Sequence, residues 1–187
     1  MQDTYRDTIY KEFYPLYGKF SIEFENMIDK VKTVIVMAIA GNDVKRQSIA
    51  YILIDKEGAT GSIKKLRAML PLIYEPERKE RALCDKLLVQ VKGMIEYRNN
   101  LIHSSWIFGP SERKGEDITV PYSFQRAQSE KKSYYVTFSE FDAEKLKEKT
   151  ELVSEAKRLL NSMAFSLRNE GRDIIKEFEN SKFLIKS

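Results

Sequence analysis

Apolar residues at Phe20, Phe24, Met27, Ile28, Val31, Val34, Ile35, Ala38 and Ile39 recur at three- and four-residue spacing, the period of one face of an α-helix. The pattern predicts a long helix from about Tyr14 to Ala40, ended by Gly41-Asn42-Asp43. Asp43 stands where it can cap a second helix that carries Ile49, Ile52 and Leu53 to about Lys56. After Gly58 and Gly61, Ser62 stands where it can cap a short third helix ending at Pro71. A long helix then opens near Pro76, a residue suited to a first helical position, and carries Leu83, Leu87, Val91, Ile95 and Ile102 to about Ser104.

The helical period is lost between Trp106 and Phe138. There Thr119 to Phe124 and Ser133 to Phe138 hold the β-branched and aromatic residues of short strands around a charged loop, predicting a β-hairpin or an irregular excursion. Ser139, with Asp142 three residues on, opens a last long helix with Leu146, Val153, Ala156, Leu160, Met163 and Leu167 on one face. Gly171 to Phe183 reads as a separate short helix. The expected fold class is all-α: a bundle of four main helices plus short helices, with a β-hairpin-like or irregular insertion before the last long helix, in one domain over residues 1–187.

Composition narrows this picture. A chain of 187 residues, 42% of them hydrophobic, can bury one core. The longest apolar stretch, residues 34–40, is far short of the roughly 20 residues of a membrane span, and Met-Gln-Asp-Thr-Tyr-Arg offers no apolar signal region, so a cytoplasmic protein without a membrane partner is expected. Cys84 is the only cysteine, which excludes an internal disulfide and a cysteine-cluster zinc site and suggests a small core side chain. The net charge is +4, and the basic residues fall in short groups: Lys64, Lys65 and Arg67; Arg78, Lys79 and Arg81; Arg113 and Lys114; Lys131 and Lys132. Such groups attract phosphates, but 28 acidic residues lie among them, which favours a solvated helical surface over a nucleic-acid stripe.

One helix carries unusual chemistry. At 100° per residue from Val91, the residues Cys84, Leu87, Met94, Ile95, Leu101 and Ile102 all fall within about 80°, and Arg98 falls at about −20°, inside the apolar stripe. A guanidinium there requires an anionic partner or a polar cavity, because no pKa shift will remove its charge. Asn99 at about 80°, His103 at about 120° and Glu96 at about 140° form a polar flank. His103 is the only histidine, and imidazole is the side chain best suited to proton transfer near neutral pH. Read singly, each residue has a structural account: His103 as a surface residue, Arg98 as half of an ion pair with an acid on another helix, and Asn99 and Asn100 as polar residues at a fraying helix end.

Taken together, Arg98-Asn99-Asn100-Leu101-Ile102-His103-Ser104-Ser105-Trp106 resembles the signature of the HEPN superfamily. That signature is an arginine, a polar residue directly after it, and a histidine with four to six residues between it and the arginine, late in a long helix of an α-bundle. Four residues separate Arg98 from His103, and Asn99 fills the polar position. The resemblance is confined to the helix from Pro76 to Trp106.

It implies a metal-independent endoribonuclease without cofactor, toxin-like or defence-associated, that acts as a homodimer with two motifs facing a shared cleft. The implied partners are RNA, a second copy and an antitoxin or other regulatory protein. The 2′-hydroxyl of RNA would attack the adjacent phosphate to leave a 2′,3′-cyclic phosphate, with His103 moving a proton, Arg98 stabilising the transition state and Asn99 orienting the phosphate or His103. Asn100, Ser104, Arg113 and Lys114 are the candidate substrate-binding residues beside them. The sequence leaves carboxylate-bound magnesium open. Ser105 stands where the related toxins paired with nucleotidyltransferase-like antitoxins carry a tyrosine, so regulation by modification of that tyrosine is not expected. Two other readings stand beside the nuclease: a non-catalytic HEPN-like module binding RNA, a nucleotide or a protein, and an unrelated helical interaction protein.

Overall fold

The structure, a computed structural model, describes residues 9–107, 112–113, 116–117, 122–128, 134–140, 142–168 and 173–181. A π-helical turn, Ile9–Phe13, runs directly into α1, Tyr14–Ala40, with Pro15 in the first turn, where its missing N–H costs nothing. Phe20, Phe24, Met27, Ile28, Val31, Val34 and Ile35 are buried as the periodicity predicts. In the last turns the buried face widens: Val36, Met37 and Ala40 are buried, Ala38 is half-buried and Ile39 is exposed. The cause is the helix that folds back onto the far side of α1, from which Gln47 reaches the sulfur of Met37.

Gly41 makes that reversal possible. Its φ of +53° and ψ of −129° lie where only glycine is unstrained, and its N–H closes on the Met37 carbonyl at 2.9 Å. Asp43 then caps α2, Val44–Ile54, accepting from the Arg46 N–H at 3.1 Å. Ala50 and Ile54 of α2 are buried, while Ile49, Ile52 and Leu53 face outward.

Helix α3, Ala59–Ile73, differs from expectation at both ends. Gly58 is the residue before its first turn, and Ser62 lies inside the helix with its hydroxyl buried and unpartnered instead of capping. The extended backbone of Gly58 starts the helix one turn early, and Ser62 serves as a small packing residue. Pro71 does not end it, because a proline in the last turn forfeits one hydrogen bond and the helix closes two residues later, with the Tyr74 N–H on the Leu70 carbonyl at 2.9 Å.

Helix α4, Lys79–His103, starts three residues after Pro76, which stands in a preceding turn. Its buried residues are Cys84, Leu87, Leu88, Val91, Met94, Ile95 and Leu101, with Leu83 and Ile102 half-buried. Burial pushes the Cys84 thiol up to about 12, and its sulfur lies 3.7 Å from that of Met163.

The insertion holds two antiparallel sheets, one of three strands and one of two. Strand β1, Ser105–Ile107, pairs with β4, Tyr122–Gln128, which pairs with β5, Tyr134–Glu140; β2, Glu112–Arg113, and β3, Glu116–Asp117, pair with each other. Both long strands run further along the chain than the β-branched residues suggest, and Thr119 lies outside the described residues. Ser139 sits within β5 opposite Ser123, so it cannot cap a helix; Asp142 does, accepting from the Lys145 N–H at 2.8 Å.

Helix α5, Ala143–Leu167, buries Leu146, Val153, Ala156, Leu159, Leu160 and Met163 against α1. Asp173 caps α6, Ile174–Glu179, which seats Ile174 and Phe178 in the same core. The architecture is thus an all-α bundle: α1 at the centre, α5 along it, α2 and α3 on its flanks, and α4 joined to α3, α5 and α6. Among the described residues no helix is long and apolar enough to cross a membrane.

Candidate functional site

The last two turns of α4 are held from both sides. Tyr97 meets the ring of Phe20 on α1 edge-on, with centroids 5.5 Å apart, and receives Lys149 of α5 at 5.9 Å. These contacts fix the roll of α4 and direct Arg98 toward α1.

The anionic partner that Arg98 requires is Glu25. Nη2 of Arg98 donates to Oε1 of Glu25 at 3.1 Å, Nη1 donates to Oδ1 of Asn99 at 3.4 Å, and the guanidinium carbon lies 5.5 Å from the centre of the Phe24 ring. Nε is buried without a partner. The side chain is 27% exposed and that of Glu25 63%, so the arginine lies over the edge of the core with its outer face toward solvent. Its place in the apolar stripe is therefore satisfied within the chain by an acid on another helix, and a dimer seam is not needed to explain it.

Asn99 is half-buried beside Arg98, and Asn100 is exposed. The Ser104 hydroxyl donates to the Asn100 carbonyl and so satisfies one of the free acceptors at the end of α4. His103, the last residue of α4, is exposed. It lies five helical steps beyond Arg98, about 7.5 Å of rise and 140° of rotation. The chain therefore joins Arg98 to Asn99 and sets His103 on a different, exposed face at the same helix end. Arg113 lies in β2, immediately downstream, and Lys114, Lys131 and Lys132 lie outside the described residues.

Of the basic groups, several are engaged by acids. Lys65 pairs with Glu57, Arg67 with Asp85 at 3.4 Å, Arg78 with Glu80 at 3.9 Å, and Lys79 with Glu179. They form a solvated, mutually compensated surface, as the interspersed acids imply. Glu25 and Phe24 are the site residues that sequence reasoning missed as such. Phe24 is legible as a core residue, but nothing local in the chain links Glu25 to an arginine 73 positions away. No protein-family model, curated protein or solved structure matches this chain.

Proposed function

We propose that the end of α4 is the active site of a HEPN-type, metal-independent endoribonuclease, toxin-like or defence-associated, in which two copies of the chain bring their motifs together. The reading rests on one observation. Arg98 presents a partly exposed guanidinium edge, held by a single bond to an exposed carboxylate, beside Asn99 and at the same helix end as the exposed His103. Exposed ion pairs of this kind are worth about 1 kcal/mol or less, so an RNA phosphate can replace Glu25 at small cost while Phe24 still supports the guanidinium from behind.

In the reaction the RNA 2′-oxygen bonds to phosphorus as the bond from phosphorus to the 5′-oxygen breaks. The 2′-hydroxyl proton leaves to a base, and an acid supplies a proton to the departing 5′-oxygen. Arg98 stabilises the charge that grows on the phosphoryl oxygens, Asn99 orients the phosphate, and His103 transfers a proton. The chain has one histidine, so the paired arrangement supplies a second for the complementary transfer.

The test uses purified protein, single-stranded RNA and excess EDTA, with the product ends identified. Wild type is expected to leave 2′,3′-cyclic phosphate ends. His103→Ala, which removes an exposed side chain and leaves the fold intact, is expected to cut at least about 100-fold more slowly. Cleavage only on addition of metal, or undiminished cleavage by folded His103→Ala protein, would overturn the assignment.

A further inference from the structure

The outer face of α2 has no role in the reading above. Its inner face, Ala50 and Ile54, packs on α1, and Gln47 donates to the Gly41 carbonyl at 2.6 Å. On the outer face Ile49, Ile52 and Leu53 are 59%, 76% and 69% exposed. Taking Ile49 as zero, Ile52 falls at about −60°, Leu53 at about +40°, Lys45 at about −40° and Arg46 at about +60°, and Lys56 follows in the turn after the last helical residue, Ile54. The result is an apolar centre with exposed Lys45 and Arg46 at one end, the arginine paired with Asp43 at 3.4 Å, and exposed Lys56 just past the other. The helical positions 45, 49 and 52 are spaced four and three apart, the rhythm with which one helix meets another along a seam.

We propose that this face docks an amphipathic helix of another protein, one whose apolar centre is bracketed by acidic residues. Charge selects that occupant over the alternatives. A second copy laid antiparallel on the same face sets Lys45 against Lys56, and a parallel copy sets each lysine against its own equivalent, so like charges oppose self-pairing in both directions. An anionic lipid surface would meet the flanks of α2 as well as its stripe. Exposed Asp55, directly after the last helical residue, repels such a surface, whereas Asp43 is engaged by Arg46 at 3.4 Å, and the stripe lacks the tryptophan or phenylalanine of an interfacial helix. A single helix touches the stripe alone and avoids Asp55.

The probe is a fluorescent synthetic helix of about 15 residues with leucines at alternating three- and four-residue spacing and two glutamates at each end, titrated with the full chain. Its binding is expected to weaken about tenfold or more in Ile52→Ser/Leu53→Ser protein and in Lys45→Glu/Lys56→Glu protein. A lysine-ended isomer of the peptide is expected to prefer the Lys45→Glu/Lys56→Glu variant over wild type. All four positions are exposed, and matching thermal melts show that the variants are folded. Absent binding, or binding indifferent to these changes, overturns the proposal. So does either of two other results: phosphatidylglycerol-containing vesicles, instead of the peptide, binding in a way that Ile52→Ser/Leu53→Ser abolishes, or self-association that the same change abolishes.

Discussion

At the scale of single residues, the informative contact is the one between Arg98 and Glu25. It joins two helices, yet both groups reach water, so its worth to stability is small and its worth to chemistry lies in the charge it withholds from other anions. Glu25→Gln keeps the size of the side chain and removes that competition. The variant is expected to melt within a few degrees of wild type and to bind RNA about two- to fivefold more tightly. Fluorescence anisotropy at fixed salt, in a His103→Ala background that does not cut, measures this. Weaker binding would mean that Glu25 holds Arg98 in its binding pose instead of competing with phosphate for it.

Between α4 and α5 the chain leaves the helical bundle and returns to it through a sheet, and the return point is set by one side chain. Asp142 accepts the Lys145 N–H at the start of α5, whereas Ser139 is one register position inside β5. Asp142→Ala is therefore expected to cost about 1 kcal/mol, a drop in melting temperature of a few degrees, and Ser139→Ala to cost much less. Parallel thermal melts of the two variants decide between them. A larger loss for Ser139→Ala would place the cap inside the strand. At the other end of the insertion, β1 begins two residues after His103, so the sheet and the motif share one end of the molecule.

For the molecule as a whole, α1 and α5 form the principal packing pair, and a partly buried ion pair stitches them: Lys157 donates to Glu23 at 2.6 Å, with Ser154 donating to the same oxygen at 3.0 Å. The hydrogen bond from Lys157 holds the Glu23 carboxyl below its ordinary range, against the opposing effect of burial. The folded chain keeps that carboxylate charged to lower pH than the unfolded chain does. The stabilisation is therefore fully present above the unfolded carboxylate pKa and is lost as pH falls through the folded value. Glu23→Gln should melt below wild type at pH 7, with the gap closing as the pH falls below about 4. Melts across the acid range test the sign; a gap that widens toward low pH would contradict it. Assembly belongs to the same scale. The nuclease reading expects light scattering to report twice the 21.9 kDa of one chain at micromolar concentration. A strict monomer that cuts RNA would remove the second histidine from the mechanism and leave the reaction to the Arg98, Asn99 and His103 of one chain.

What the amino-acid sequence determined by itself is local. The 3.6-residue period of Phe20, Phe24, Met27 and Val31, the turn at Gly41 with its cap Asp43, the loss of period after Trp106, and the placing of Arg98, Asn99 and His103 on one helix all follow from neighbours along the chain. The tertiary structure decided whatever depends on which helix lies against which. The packing of α2 on the far side of α1 buries Val36 and Met37 and leaves Ile39 and Ile52 outside. Neighbouring helices bury Ser62, and α3 runs on through Pro71. The partner of Arg98 is an acid 73 residues away. Periodicity states that a face is apolar, but the burial of a second face and the pairing of a charge are set by the packing of whole helices, which no short window of sequence contains.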